Sequence, residues 1–139
     1  MTLTVRSPEA MRRLGACLGA LLQPGDFIGL VGDLGAGKTV LVRGLAEGAG
    51  VPASEVASPT FAIVYPYQGR LRIHHADLYR VADEDELYAT GFYDLLGQGA
   101  TVVERIDRVP EAMPAERLVI TLERTGKRTR RVVLEPQGE

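Results

Sequence analysis

Large apolar residues recur along the chain with two periods, and the change of period marks the elements. Leu3 to Val5 reads as a short first strand. Ser7-Pro8-Glu9 then reads as a helix start. Ser7 can cap free N–H groups, Pro8 suits a first turn that needs no donor, and Glu9 suits the positive end. Met11, Leu14, Leu18 and Leu21 follow at spacings of three and four, which predicts one helical face, with Cys17 close to it as packing. Gln23 to Asp26 ends that helix. Phe27 to Val31 is an apolar run of the kind found in a strand covered on both faces. A glycine-rich turn leads to a second helix from about Lys38 to Glu47, stopped by Gly48-Ala49-Gly50 and Pro52. Phe61 to Tyr67 and Leu71 to His75 read as paired strands around Gln68-Gly69-Arg70. Ala82 to Thr90 reads as a short helix ended near Gly91, and Ala100 to Val103 as a compact strand. Leu118 to Leu122 and Thr129 to Leu134 bracket Thr125-Gly126-Lys127 as a β-hairpin. Strands alternating with helices predict an α/β fold, a mixed and mainly parallel sheet with flanking helices and a C-terminal hairpin.

Composition narrows the class. The chain has 139 residues and neither an internal repeat nor a low-complexity linker, so one domain spanning residues 1–139 is expected. Apolar residues at 45% and charged residues at 24% exclude a wholly disordered chain. No apolar run approaches the roughly 20 residues of a membrane helix, and the N-terminal segment lacks a secretory pattern. A lone cysteine cannot form an internal disulfide, which points to a reducing cytoplasm. A net charge of −2 excludes a general nucleic-acid coat. The acidic run Asp83-Glu84-Asp85-Glu86 and the basic stretch Arg117 to Arg131 read as solvated faces, although a basic hairpin can also meet RNA phosphates.

The chemistry begins at Gly32-Asp33-Leu34-Gly35-Ala36-Gly37-Lys38-Thr39, which matches G-x-x-x-x-G-K-[ST] in full. A buried strand precedes it and a helix follows, as a phosphate loop requires. Gly35 and Gly37 let the backbone fold into a nest of inward N–H groups, and the helix adds its positive end. Lys38 would reach the β- and γ-phosphates, and the Thr39 hydroxyl would face Mg²⁺. The bland alternative is a glycine-rich turn with a chance lysine.

What becomes of the phosphate depends on carboxylates, because Mg²⁺ takes oxygen ligands and keeps several waters. Two acids stand where apolar strands run out: Asp77 after Leu71 to Ala76, and Glu104 after Ala100 to Val103. Either can hold the metal while the other orients a water. Their structural alternatives are a turn cap before Leu78 and an ion pair to Arg105 or Arg108.

The phosphate loop is followed by Ser58-Pro59-Thr60-Phe61, then by His75-Ala76-Asp77-Leu78-Tyr79-Arg80, then by Glu104 at a strand end. These four features in this order resemble the bacterial TsaE (YjeE) family, from the first helix to about Glu104 and more loosely in the final hairpin. The resemblance implies a P-loop NTPase-like fold and a small ATPase. Its role would be to support a TsaB–TsaD complex that makes N6-threonylcarbamoyladenosine at position 37 of tRNA, with tRNA met through that complex. ATP and Mg²⁺ are the implied cofactors. Asp33, Leu34, Gly35, Ala36, Gly37, Lys38 and Thr39 match the family's ATP loop. Thr39 and Glu104 match its metal positions, and Asp77 matches an acid near the γ-phosphate and metal. Ser58-Pro59-Thr60 matches a switch-like segment in which Thr60 senses the γ-phosphate. The base is expected between Pro8 and Gly126. Lys38, Thr60, Asp77 and Glu104 are thus the implied catalytic set. One position departs from the pattern: the family usually has Trp after the strand-end glutamate, and this chain has Arg105 and no Trp.

His74 and His75 adjoin Asp77, but neighbours on a strand face opposite ways, so they do not make a joint metal site. His75 belongs to the family motif and supports the site, while His74 reads as structural. Five tyrosines and three phenylalanines must serve the whole chain, so most read as packing and not as an RNA-stacking surface. Two other functions remain open to a phosphate loop. A small-molecule kinase needs an acceptor pocket and a cationic lid, for which the chain has little room. A nucleotide-gated binding module would bind without turnover.

Overall fold

Among the described residues, seven strands join in a single sheet with helices on both faces. In a computed structural model, residues 1–32, 36–52, 64–78 and 81–138 are described. The elements run β1 (Thr2–Val5), α1 (Pro8–Leu21), β2 (Phe27–Gly32), α2 (Lys38–Gly48), β3 (Val64–Gln68), β4 (Arg72–Asp77), α3 (Glu84–Ala89), α4 (Phe92–Leu95), β5 (Ala100–Glu104), β6 (Arg117–Arg124) and β7 (Arg130–Gln137). Two single-turn 3₁₀ segments, Ile106–Arg108 and Pro110–Ala112, lie between β5 and β6. Sheet order is β1-β7-β6-β2-β5-β4-β3. The central ladders β6/β2, β2/β5 and β5/β4 are parallel, and the outer ladders β1/β7, β7/β6 and β4/β3 are antiparallel. The sheet is therefore mixed, with helix-covered parallel strands at its centre and hairpins at its edges.

Local chemistry sets the helix starts. Ser7 caps α1 by accepting from the Ala10 N–H at 3.0 Å, and Pro8 occupies the first turn. The acidic run has the same use. Asp83 accepts from the Glu86 N–H at 2.8 Å, and Glu86 reaches back to the Ala82 N–H at 3.0 Å. That reciprocal cap and the remaining first-turn acids complement the positive end of α3. The helix α4 and the two 3₁₀ turns have no counterpart in the apolar periodicity.

One face of the sheet carries α1 and α2 over Ile28, Leu30, Val102, Ile120, Leu122 and Val132. The buried stripe of α1 is Met11, Gly15 and Gly19. Leu14 and Leu18 pack at its margin, whereas Leu21 is 75% exposed and Cys17 is exposed. The apolar spacing thus misplaces the face by about one position. The reason is that α1 meets α2 through glycines: a Cβ at Gly15 or Gly19 would collide with the carbonyls of Leu41 or Leu45, and one at Gly44 or Gly48 with those of Arg12 or Ala16. The opposite face is covered by α3, α4 and the 3₁₀ turns, with Phe27, Ala76, Leu87, Phe92, Val103, Ile106 and Val109 in its core. Tyr88 is 73% exposed there, an exception to the reading of most aromatics as packing.

His74 lies on β4 opposite Thr101 of β5 and is 3% exposed. Neither ring nitrogen has a partner of good geometry among the described residues. Burial pushes its pKa below the usual histidine value, Arg72 adds to the shift, and the backbone of Gln98 opposes it in part. A histidine with a lowered folded pKa binds fewer protons folded than unfolded. Its neutral form is favoured fully above the ordinary value near 6.5, and that stability is lost as pH falls through the folded value. The parent should therefore lose more stability than His74→Leu between pH 7.5 and about pH 5. At pH 8 the variant should equal or exceed the parent, since a buried ring with no well-formed hydrogen bond among the described residues is replaced by an apolar side chain. Urea midpoints of both proteins across this range check the expectation; parallel pH profiles would contradict it.

Candidate functional site

The three parallel central ladders bring the ends of β2, β5, β4 and β6 to one edge of the sheet. Gly32 closes β2, Asp77 closes β4 and Glu104 closes β5. In register, Leu30 pairs with Glu104 and Asp77 pairs with Glu104, so the two carboxylates stand side by side on neighbouring strands. The carboxyl edge of parallel strands is where open α/β sheets bind ligands. Both acids also share the face covered by α1 and α2, because they continue the alternation of Ile73, His75 and Val102.

The phosphate-loop sequence spans the turn from β2 to α2. Gly32 approaches β6 so closely that a Cβ would lie 2.8 Å from the Leu122 carbonyl oxygen. Ala36 is buried, and Gly37, with φ +102°, is the left-handed residue that opens α2. A Cβ on Gly37 would also lie 3.2 Å from the Met11 methyl carbon, so the first turns of α1 stand against the loop. Lys38 Nζ donates to the Gly32 carbonyl oxygen and so folds back along the loop. Thr39 is exposed in the first turn of α2. Asp33, Leu34 and Gly35 lie outside the described residues, as do Ser58-Pro59-Thr60, Phe61, Tyr79 and Arg80.

Glu104 is 6% exposed, which is unusual for a carboxylate. Its Oε2 accepts from His75 Nε2 at 2.6 Å. The other ring nitrogen, Nδ1, lies 3.2 Å from the Tyr67 hydroxyl. The ion pair to Arg105 or Arg108 that is the structural alternative for Glu104 is not formed; its partner is His75. Asp77 is half-buried beside it. Sequence reasoning placed His75 in support of the site and read Tyr67 as packing. The signal for Tyr67 was its position: on an antiparallel pair, Tyr65 and Tyr67 share a face with Ile73 and His75.

Immediately after Glu104 the backbone turns left-handed. Arg105, with φ 63°, is the one non-glycine residue with positive φ among the described residues. Its N–H donates to the Leu30 carbonyl at 3.0 Å, and the Glu104 carbonyl accepts from the Leu78 N–H at 3.1 Å. These two bonds tie the ends of β2, β5 and β4 together. Pro8 and Gly126 reach the same edge by topology. Arg130 pairs both with Val5, three residues before Pro8, and with Arg124, two residues before Gly126. The hairpin tip is closed by the Gly126 N–H to the Thr129 carbonyl at 3.2 Å, while Arg124 and Arg130 donate to the Gly126 carbonyl.

The donor set at this edge is hard oxygen: the Thr39 hydroxyl and the carboxylates of Asp77 and Glu104. Such a set fits Mg²⁺, which is held by one or two carboxylates with phosphates and water and not by a full protein cage. No group of three His, Cys, Asp or Glu side chains able to hold a metal occurs among the described residues. No helix among them is long and apolar enough to cross a membrane.

The family model "Threonylcarbamoyl adenosine biosynthesis protein TsaE" matches residues 5–132. The chain belongs to the TsaE family. It is similar to the tRNA threonylcarbamoyladenosine biosynthesis protein TsaE of Bacillus subtilis, at 39% identity over 133 residues, 95% of this chain and 83% of that protein. The Treponema pallidum TsaE is 38% identical over 118 residues, 84% of this chain and 87% of its own. Among solved structures, the crystal structure of Bacillus subtilis YdiB superposes with a TM-score of 0.79 at 32% identity, covering 99% of this chain and 86% of that one. The α/β architecture expected from the motifs is thus that of the TsaE family, and the family places this chain in threonylcarbamoyladenosine biosynthesis, a tRNA-modification pathway.

The left-handed turn at Arg105 has a measurable cost. Arg105→Ala and Arg105→Gly both remove the side chain, but alanine keeps a Cβ in the left-handed region at a cost of roughly 1–2 kcal/mol. Part of that is offset by the greater freedom of glycine in the unfolded chain. Arg105→Gly should therefore be the more stable of the two by about 1 kcal/mol, read from urea denaturation. Equal stabilities would remove the claim that this backbone conformation is strained.

Proposed function

We propose that this chain binds ATP with Mg²⁺ at the Gly32–Thr39 loop and hydrolyses it in support of a cytoplasmic TsaB–TsaD complex. That complex makes threonylcarbamoyladenosine at tRNA position 37, and hydrolysis resets it between turnovers, with tRNA met through the complex. The observation that carries the reading is the pairing of Asp77 with Glu104 at adjacent strand ends, beside the strand that leads into the loop. A phosphate loop alone binds phosphate; hydrolysis also needs a group to hold Mg²⁺ and one to orient water, and two carboxylates at its side can supply both.

In this reading the backbone N–H groups of residues 33–37 and the start of α2 hold the phosphates. Lys38 exchanges its bond to the Gly32 carbonyl for phosphate oxygens. The Thr39 hydroxyl and the Glu104 carboxylate hold Mg²⁺, and Asp77 orients the attacking water. Bound Mg²⁺ supplies the positive charge that offsets charge on the transferring phosphoryl group. Thr60 senses the γ-phosphate, and Pro8 with Gly126 flanks the base.

The test is nucleotide binding and phosphate release by the chain alone and with TsaB–TsaD. Mg²⁺ with ATP should raise the melting temperature, since ligand at 100 times Kd stabilises by about 2.7 kcal/mol. Lys38→Ala should lose ATP binding while its own unfolding midpoint stays near the parent's. Glu104→Gln should still bind ATP but hydrolyse it poorly, because the amide keeps the size and loses the charge. ADP should form without any added acceptor and form faster with the partner pair. Binding without phosphate release, even with the pair, would favour a nucleotide-gated binding module; ADP formation only with a small acceptor would favour a kinase.

A further inference from the structure

We propose that Tyr67 and His75 are positioning residues for Glu104: a buried hydrogen-bond chain that holds one carboxylate oxygen still so that the other is presented to the metal–nucleotide. The inference rests on the reading of Glu104 given above. Three side chains from three strands form the chain. Tyr67 on β3 is 4% exposed, His75 on β4 is 2% exposed and Glu104 on β5 is 6% exposed. The donors can be ordered. The Glu104 carboxylate only accepts, so His75 Nε2 carries a proton and donates across the 2.6 Å contact. With one ring proton on Nε2, Nδ1 is left as an acceptor, and the Tyr67 hydroxyl at 3.2 Å is placed to donate to it. A donor at Nδ1 favours the tautomer that can bond Glu104. The two rings also pack, with centroids 5.9 Å apart.

This arrangement differs from a merely structural ion pair in what it leaves free. Glu104 Oε2 is engaged, while Oε1 has no hydrogen-bond partner among the described residues. A glutamate side chain loses much rotamer freedom when it is fixed. Here that loss is met on folding and not on binding, and the oxygen without a partner among the described residues belongs to the residue beside Asp77. Groups that hold metal ligands in this way change metal affinity when removed, commonly 10–100-fold. A structural pair would change only stability.

The test uses Mn²⁺ as the probe, its free concentration read by electron paramagnetic resonance in titrations with a non-hydrolysable ATP analogue. His75→Leu should weaken Mn²⁺ binding by roughly 10–100-fold. Tyr67→Phe keeps the ring and its packing and should weaken it by roughly 2- to 12-fold, the worth of one ordinary hydrogen bond. His75→Gln places an amide N–H near the position of Nε2 and should restore most of the affinity lost in His75→Leu. Binding of the analogue without metal should be the same in all four proteins. Unchanged Mn²⁺ affinity in Tyr67→Phe and in folded His75→Leu, together with lowered melting temperatures, would overturn the proposal and leave a structural pair. So would a His75→Gln protein that binds Mn²⁺ no better than folded His75→Leu. Should His75→Leu fail to fold, parental Mn²⁺ affinity in Tyr67→Phe would decide against the relay. A parent that binds the analogue without metal dependence overturns the relay but not the phosphate loop; a parent that binds neither overturns both.

Discussion

The register of the three central parallel ladders is the constraint on which the site depends. Side chains alternate between faces along a strand, so a slip of one residue in β4 or β5 would send His75, Asp77 or Glu104 to the face covered by α3 and α4. In the observed register Leu30 meets Glu104 and Glu104 meets Asp77 across adjacent strands. The register is held because both faces of the centre are covered. Phe27 and Val103 must face one core while Ile28, Leu30 and Val102 face the other. Every apolar residue in these strands therefore votes for the alignment that also places the carboxylates.

The glycine contact between α1 and α2 transmits that order to the phosphate loop. Gly15, Gly19, Gly44 and Gly48 bring the two backbones together, so neither helix can shift along the other without a backbone collision. The start of α2, with Lys38 and Thr39, is thereby held against the sheet, and Met11 closes on Gly37 from α1. The exposed ion pair of Arg12 with Glu47 spans the same two helices, but a solvated pair adds little to contacts of this kind. A phosphate site gains from rigidity in its scaffold, since donors that are already aimed need no reorganisation when charge arrives.

Much of the fold and part of the site were legible in the chain. The strands, α1 to α3 and the hairpin announce themselves by period, caps and turn residues. The loop is a local motif, and Asp77 and Glu104 stand out as acids where apolar runs end. What was not legible depended on partners distant in sequence. Periodicity counts large apolar residues, so it located Met11, Leu14, Leu18 and Leu21 and overlooked the glycines that define the contact face of α1. Tyr67 looked like packing because its hydroxyl partner becomes visible only when β3 lies against β4 in a known register. The acidic run is the solvated face it looked like and is also a helix cap, which becomes clear once Asp83 and Glu86 are seen to bond N–H groups. The helix α4 spans Phe92–Leu95, too short to show a period.

The left-handed residue at Arg105 connects these constraints. Strand β5 must end at Glu104, or the chain would run past the edge where the loop lies. The turn at Arg105 sends the chain beneath β2, where Ile106 fills the space over Gly29: a Cβ on Gly29 would lie 2.7 Å from the Ile106 Cδ1 atom. A glycine inside an apolar strand weakens it, so its presence in Phe27–Gly32 calls for a reason of this kind. The small residue on β2, the strained residue after β5 and the isoleucine between them form one device. Ile106 seated on Gly29 holds Arg105 in its turn, the Arg105 N–H bonds the Leu30 carbonyl, and the end of β5 is locked to β2. Backbone strain of this sort persists only where surrounding contacts over-determine it. Here they do, and what the strain secures is the place of the residue before it, the buried carboxylate that His75 holds from the other side.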